Sequence, residues 1–117
     1  MPAARRPWGR DTGPVIRNVV MGRLLDSGDE RDVVRAAAQL DRGLAGIAAL
    51  DLPGLLTMHV GRDAGLRDAG WTFAITNDWV DADAYRAYDV DVEHNRYREM
   101  IVDVCSDVAR VQLVIDD

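Results

Sequence analysis

The chain has 117 residues, 48% of them hydrophobic and 29% charged, a balance that suits one globular domain able to bury its own core. Net charge is −6 and the isoelectric point about 4.8, so the average field repels phosphate and argues against a nucleic-acid partner. No apolar run approaches the roughly 18 residues that span a membrane, and no apolar stretch follows the charged N-terminus as in a secretory signal.

All 14 basic residues are arginine, which removes any lysine nucleophile or Schiff base. The single Cys105 cannot close an intrachain disulfide, and a reduced cytoplasmic setting is the expectation.

Residues 1–14, MPAARRPWGRDTGP, hold three of the four prolines and read as an arm ahead of a domain over 15–117. Trp8 is the arm's one residue suited to docking. Val15–Leu25 is a β-branched run and predicts a strand. One of its faces, Ile16, Asn18, Val20, Gly22 and Leu24, is apolar except for Asn18. That side chain needs a hydrogen-bond partner or a wet pocket. Ser27 or Asp29 can cap the following helix, with Glu30 and Asp32 in its first turn. Val33, Ala37, Leu40, Leu44, Ile47 and either Ala48 or Leu50 recur at helical spacing to about Leu50. Gly43 and Gly46 either weaken this helix or permit close packing.

Pro53–Gly54 ends that crossing, and Leu55–Arg62 predicts a second strand carrying His59. Asp63–Gly70 suits a loop between antiparallel strands. In the third strand, Trp71–Val80, period 2 puts Trp71, Phe73, Ile75, Asn77 and Trp79 on one face. Asp81 is a plausible cap for a helix over Ala82–Tyr88. The pattern breaks at Asp89–Val92. A last helix is expected from about Glu93 to Val108, with Tyr97, Ile101, Val104, Cys105 and Val108 on its apolar side. Ala109–Ile115 would be the final strand. The order β-α-β-β-α-α-β predicts a ferredoxin-like α+β fold, an antiparallel sheet with helices on one face. Val15, Val19 and Met21 on the opposite face are too apolar for water, which points to a two-fold dimer closing two sheets into a barrel.

The stretch from Trp71 to His94 gathers aromatic surface, a phenol and an imidazole. Neutral histidine suits proton abstraction near pH 7, and tyrosine can donate to a developing oxyanion. His94 and Tyr88 are therefore the candidate acid/base residues, with Asn18 as a further amide donor. Trp71, Phe73, Trp79, His59 and Tyr97 are the candidate walls for a flat ligand. The competing reading has His94 capping the last helix and Tyr88 filling the core. Asp78, Asp81, Asp83, Asp89, Asp91 and Glu93 make an acidic run, but its spacing matches no metal loop, and solvated helix ends explain most of it. There is no phosphate-cradling glycine loop, zinc spacing or serine elbow, and neither a metal nor an organic cofactor is expected.

IRNVVMGRL, VGRD, GWTFAITNDW, AYRAY-DVDVEH and RVQLVID, in that order over about residues 15–116, resemble the Dabb family of dimeric α/β-barrel, stress-responsive barrel domains. The resemblance implies a ferredoxin-like protomer and a homodimeric barrel. One plant member is a polyketide cyclase that needs no metal or organic cofactor and uses a tyrosine followed six residues later by a histidine. Tyr88 and His94 match that pair. Asn18 stands where members usually carry histidine, Asp91-Val92-Glu93-His94 stands for the usual HPxH, and Phe73 replaces the cyclase's pocket histidine. The implied activity is a cofactor-independent cyclase, or a related lyase or isomerase, acting on a small polyketide-like or aromatic intermediate. The alternatives are a stress-type dimer that holds a small molecule without turnover, and a cofactor-free monooxygenase of the antibiotic-biosynthesis type.

Overall fold

The computed structural model describes residues 14–68 and 70–115. The expected arm, with Trp8, lies outside the described residues except for Pro14. The elements run β1 (Val15–Leu24), α1 (Glu30–Ala48), β2 (Leu55–Arg62), β3 (Phe73–Trp79), α2 (Ala82–Asp89), α3 (Val92–Val102) and β4 (Cys105–Ile115). The four strands form one antiparallel sheet in the order β2-β3-β1-β4, with β4 at an edge. This is the expected ferredoxin-like α+β arrangement. No helix among the described residues is long and apolar enough to cross a membrane.

Asp29 is the cap of α1, its side chain accepting from the Arg31 amide at 2.9 Å. The buried stripe of α1, Leu40, Leu44 and Ile47, meets Phe73 and Ile75 of β3, Ile101 of α3 and Val104 in one core, with Leu50 packed against it. The two helix glycines serve close approach: a Cβ on Gly43 would meet Ile101, and one on Gly46 would meet the Tyr97 ring.

The last helix is shorter than its apolar spacing suggests. It stops at Val102, where the Asp103 amide donates to the Glu99 carbonyl and the Val104 amide to the Ile101 carbonyl. Val104, Cys105 and Val108 therefore leave the helical face assigned to them. Residues 105–115 instead pair with β1 along its length, Leu24↔Cys105 through Val15↔Ile115. The β-branched content of this stretch suits a strand, and a full ladder of long-range hydrogen bonds outweighs a locally helical pattern. Cys105 still packs against the core, now from the start of β4.

Strand register separates the two sheet faces. Asn18, Val20 and Gly22 face the helices, opposite Gln112, Arg110 and Val108 on β4. The other face carries Val15, Val19 and Met21 beside Ile115, Val111 and Ala109, together with Leu113. No described helix covers it, and Met21, Leu113 and Val111 stand 36, 46 and 51% exposed.

Candidate functional site

The site forms where α2 gives way to α3. Asp81 caps α2 by accepting from the Ala84 amide at 2.8 Å, and Asp91 caps α3 by accepting from the His94 amide at 2.9 Å. Two separate helices, rather than one, bring the last turn of α2 against the first turn of α3. Tyr88 and His94 consequently stack, ring centroids 3.8 Å apart and planes tilted by 31°. Both are nearly buried, at 3 and 6% exposure.

A hydrogen-bonded chain stands behind the phenol. The Trp79 indole Nε1–H donates to Asn77 Oδ1 at 2.6 Å, and Asn77 Nδ2 donates to the Tyr88 oxygen at 3.3 Å. Asn77 and Trp79 are completely buried. Because an indole only donates, the Asn77 amide can point only one way. Tyr88 thus receives a hydrogen bond from behind and keeps its own proton for an acceptor elsewhere. Burial pushes the Tyr88 pKa up to about 12, against the lowering contribution of Asn77, so the phenol stays protonated.

His94 is displaced the other way. Burial and the nearby Arg98 guanidinium push its pKa down to about 4, and the Asp89 charge, the Tyr88 backbone carbonyl and the Asp91 charge offset this only partly. The imidazole is neutral at pH 7. Its buried Nδ1 has no hydrogen-bond partner among the described residues.

A partly open cavity of about 40 Å³ adjoins this pair, between sheet and helices. At roughly 10–15 Å³ per water it has room for about three. Val20, Ile47, Ile75, Ile101, Val102 and Val108 make its aliphatic wall, and Asn18, Tyr85, Tyr88, Asp89, His94, Arg98 and Arg110 are its polar members. Asn18, 3% exposed, accepts from Gln112 Nε2 at 3.0 Å through its carboxamide oxygen, so the end it offers the cavity is its amide N–H. Asp89 is held by Arg98 at 3.0 Å. Burial and the Asp89 charge raise the Tyr85 pKa, while Arg110 and Arg98 oppose the shift, which places all four charged or phenolic groups in one field.

Three of the sequence-derived candidates, Tyr88, His94 and Asn18, meet in this cavity. The five expected wall residues do not line it. Phe73 shares the expected strand face but lies farther along it, in the core with Leu40 and Leu44. Trp71 precedes β3 and lies under the Arg23 guanidinium, 4.1 Å from the ring centroid. Trp79 backs Tyr88, with centroids 4.6 Å apart. Tyr97 packs over Gly46 of α1 and accepts from Arg96 at 3.0 Å. His59 is exposed on the helix-free sheet face, a consequence of its alternation with Met58 and Val60, which pack on the core.

Sequence reading missed Asp89, Arg98, Arg110 and Tyr85 as members of the site. Arg98 had a usable signal, lying four residues after His94 on the same helix face. Arg110 had none without the register of β4.

The acidic run resolves residue by residue. Asp81 and Asp91 are caps, and Asp78, Asp83, Asp89 and Glu93 pair with Arg17, Arg86, Arg98 and Arg96. Among the described residues no three His, Cys, Asp or Glu side chains gather as a metal-binding group would require.

Fold and cavity together define a small ferredoxin-like α+β protein with its site between sheet and helices. The chain belongs to the Dabb family, the stress responsive A/B barrel domain, whose profile matches residues 16–115. No curated protein sequence matches significantly. Among solved structures, the chain is similar to a dimeric ferredoxin-like protein of unknown function from Thermobifida fusca, at 26% identity and a TM-score of 0.68, covering 89% of this chain and 93% of that one. A hydroxynitrile lyase from Passiflora edulis shares the fold at 16% identity and a TM-score of 0.61, over 89% and 95% of the two chains. SnoaB, a cofactor-independent oxygenase from Streptomyces nogalater, does so at 13% identity and a TM-score of 0.62, over 90% and 96%.

Proposed function

We propose that this chain is a cofactor-independent acid/base enzyme for a small carbonyl compound, a cyclase or related lyase of secondary metabolism. The observation that carries this reading is the buried, stacked Tyr88–His94 pair lining a small, partly open cavity. A neutral imidazole with an unpaired nitrogen is equipped to take a proton. A phenol that already receives a hydrogen bond from Asn77 is equipped to donate one to the oxygen that gains charge. Asn18 adds a second donor. A base with its pKa near 4 is weak, so the reaction suits a C–H bond acidified by two flanking carbonyls. Poly-β-ketone intermediates have such bonds. The lyase named among the structural neighbours is compatible with this class of chemistry.

The protein acts as a homodimer in this reading. The uncovered face around Val19, Met21, Val111 and Leu113 is the surface a second copy would cover, as the dimeric Thermobifida relative suggests.

The test is ring closure of short poly-β-ketones followed by ultraviolet absorbance. His94→Ala is expected to lower the rate by roughly 100-fold or more, and Tyr88→Phe by at least about tenfold. Equal rates for wild type and His94→Ala would remove the base and with it the proposal. The small cavity supports a second reading, a dimer that binds a small molecule without turnover. Binding without any product from the ketone series would favour it. Product that forms only with oxygen present would move the assignment to the oxygenase class.

A further inference from the structure

The polar groups of the cavity are unequal in kind. Tyr88 offers a proton because Asn77 occupies its oxygen from behind, and Asn18 offers its amide end because Gln112 occupies its oxygen. Asp89, the cavity's carboxylate, is already held by Arg98. Arg110 is exposed, lines the same cavity, and has no ion pair among the described residues. Counting charge, Arg98 and Asp89 cancel and Arg110 leaves the site with a surplus of one positive charge, in a protein whose net charge is −6.

The placement of Arg110 is also unusual for its strand. It sits on the helix-facing side of β4 opposite Val20, a position where a sheet covered by helices ordinarily carries an apolar residue. The cavity is small and partly open, so a ligand longer than a few atoms extends outward past the exposed guanidinium on its lining.

We infer that the cavity takes carboxylate-bearing carbonyl compounds, short 3,5-dioxo acids whose C4–H lies between two ketones, with a ketone between Tyr88 and His94 and the carboxylate on Arg110. This rests on the acid/base reading of the Tyr88–His94 cavity and adds the charge of its substrate. Arg110 is the residue that would set the preference for acid over ester.

The test is an NMR titration of the full chain with 3,5-dioxohexanoate and, separately, with methyl 3,5-dioxohexanoate, which keeps both ketones and removes the charge. Wild type is expected to bind the acid about fivefold more tightly than the ester, the scale of an exposed charge pair. The preference should shrink as sodium chloride is raised, because exposed pairs are screened. Arg110→Gln, at an exposed position, should fold normally, shown by an unchanged amide spectrum away from β4, and bind acid and ester alike. Any result in which the acid does not bind more tightly than the ester, including no binding of either, overturns the inference. So does an acid preference that survives Arg110→Gln. The ring-closure assay with His94→Ala is scored on neutral ketones, so the acid/base reading stands or falls independently of the carboxylate preference.

Discussion

Asn77 has a single way to present its amide. The Trp79 indole fixes the oxygen and the nitrogen is left for Tyr88. Trp79→Phe keeps an aromatic ring against Tyr88 but leaves a fully buried carbonyl oxygen without its donor. An unsatisfied buried acceptor costs about 1–3 kcal/mol, so urea unfolding should show a loss of that order. A variant as stable as the parent would show that the Asn77 amide is not held by the indole.

His94 gives the stability a pH dependence with a defined sign. Its pKa is lowered from 6.5 to about 4 on folding. Between those values the unfolded chain binds a proton that the folded one does not, so stability rises with pH there. The contribution is complete above pH 6.5 and is lost as pH falls towards 4. His94→Gln should flatten the melting temperature of the protein relative to wild type across that window. Equal pH slopes in the two proteins would mean the imidazole is not buried neutral. The spacing of Tyr88 and His94 was legible in the sequence, and so was the need for Asn18 to find a partner. Which atoms of each residue were already occupied was not, because that depends on Gln112 and Asn77 arriving from other strands.

At the scale of elements, the junction of α2 and α3 sets the geometry of the pair. Asp91 does not itself line the cavity, yet its side chain holds the first turn that carries His94. Asp91→Ala should cost about 1 kcal/mol in thermal unfolding, as loss of a helix cap does. It should also lower ring-closure activity more than this stability loss accounts for, a disproportion that an enzyme assay at a temperature well below melting can read. Preserved activity would show that α3 holds its register by packing alone.

On β1, a Cβ at Gly22 would overlap the Phe73 ring, which is only 2% exposed and has little room to move. Gly22→Ala should therefore destabilise by about 1–3 kcal/mol despite the better strand propensity of alanine. The positions of α1 and the three earlier strands were legible because their periodicities agree with their local propensities. The end of α3 was not. Ile101, Val104, Cys105 and Val108 fall at helical spacing, and only pairing with β1, 81 to 86 residues earlier, makes residues 105–108 the start of the strand expected over 109–115. The expected wall residues lie off this cavity for a related reason. Alternation identifies a strand's face, but it does not say how far along that face a cavity lies, and Phe73 and Trp79 sit on either side of Ile75.

For the whole molecule, the apolar sheet face makes the strongest demand. Val19 and Val111 lie opposite each other at its centre. Light scattering at micromolar concentration should find a dimer, and Val111→Glu should shift it towards monomer by putting a charge where a second sheet would pack. A monomeric wild type would leave that face needing another explanation. Sequence sufficed to see that something must cover Val15, Val19 and Met21, since alternation on β1 alone exposes them. The contribution of β4, with Val111 and Leu113, appears only once its register against β1 is known.

That length has a further consequence for how the protein behaves in a tube. β4 is an edge strand of eleven residues, and its sequence, CSDVARVQLVI, contains neither proline nor glycine. Its outer side presents a row of backbone donors and acceptors, with only Asp107 and Arg110 to repel another strand. Val114 on it is 64% exposed. In the isolated protomer this is a template for strand-by-strand growth. Conditions that split paired copies are therefore expected to yield turbidity and thioflavin-positive material in place of a persistent soluble monomer. A lysine placed at Val114 would be the remedy that leaves the cavity untouched.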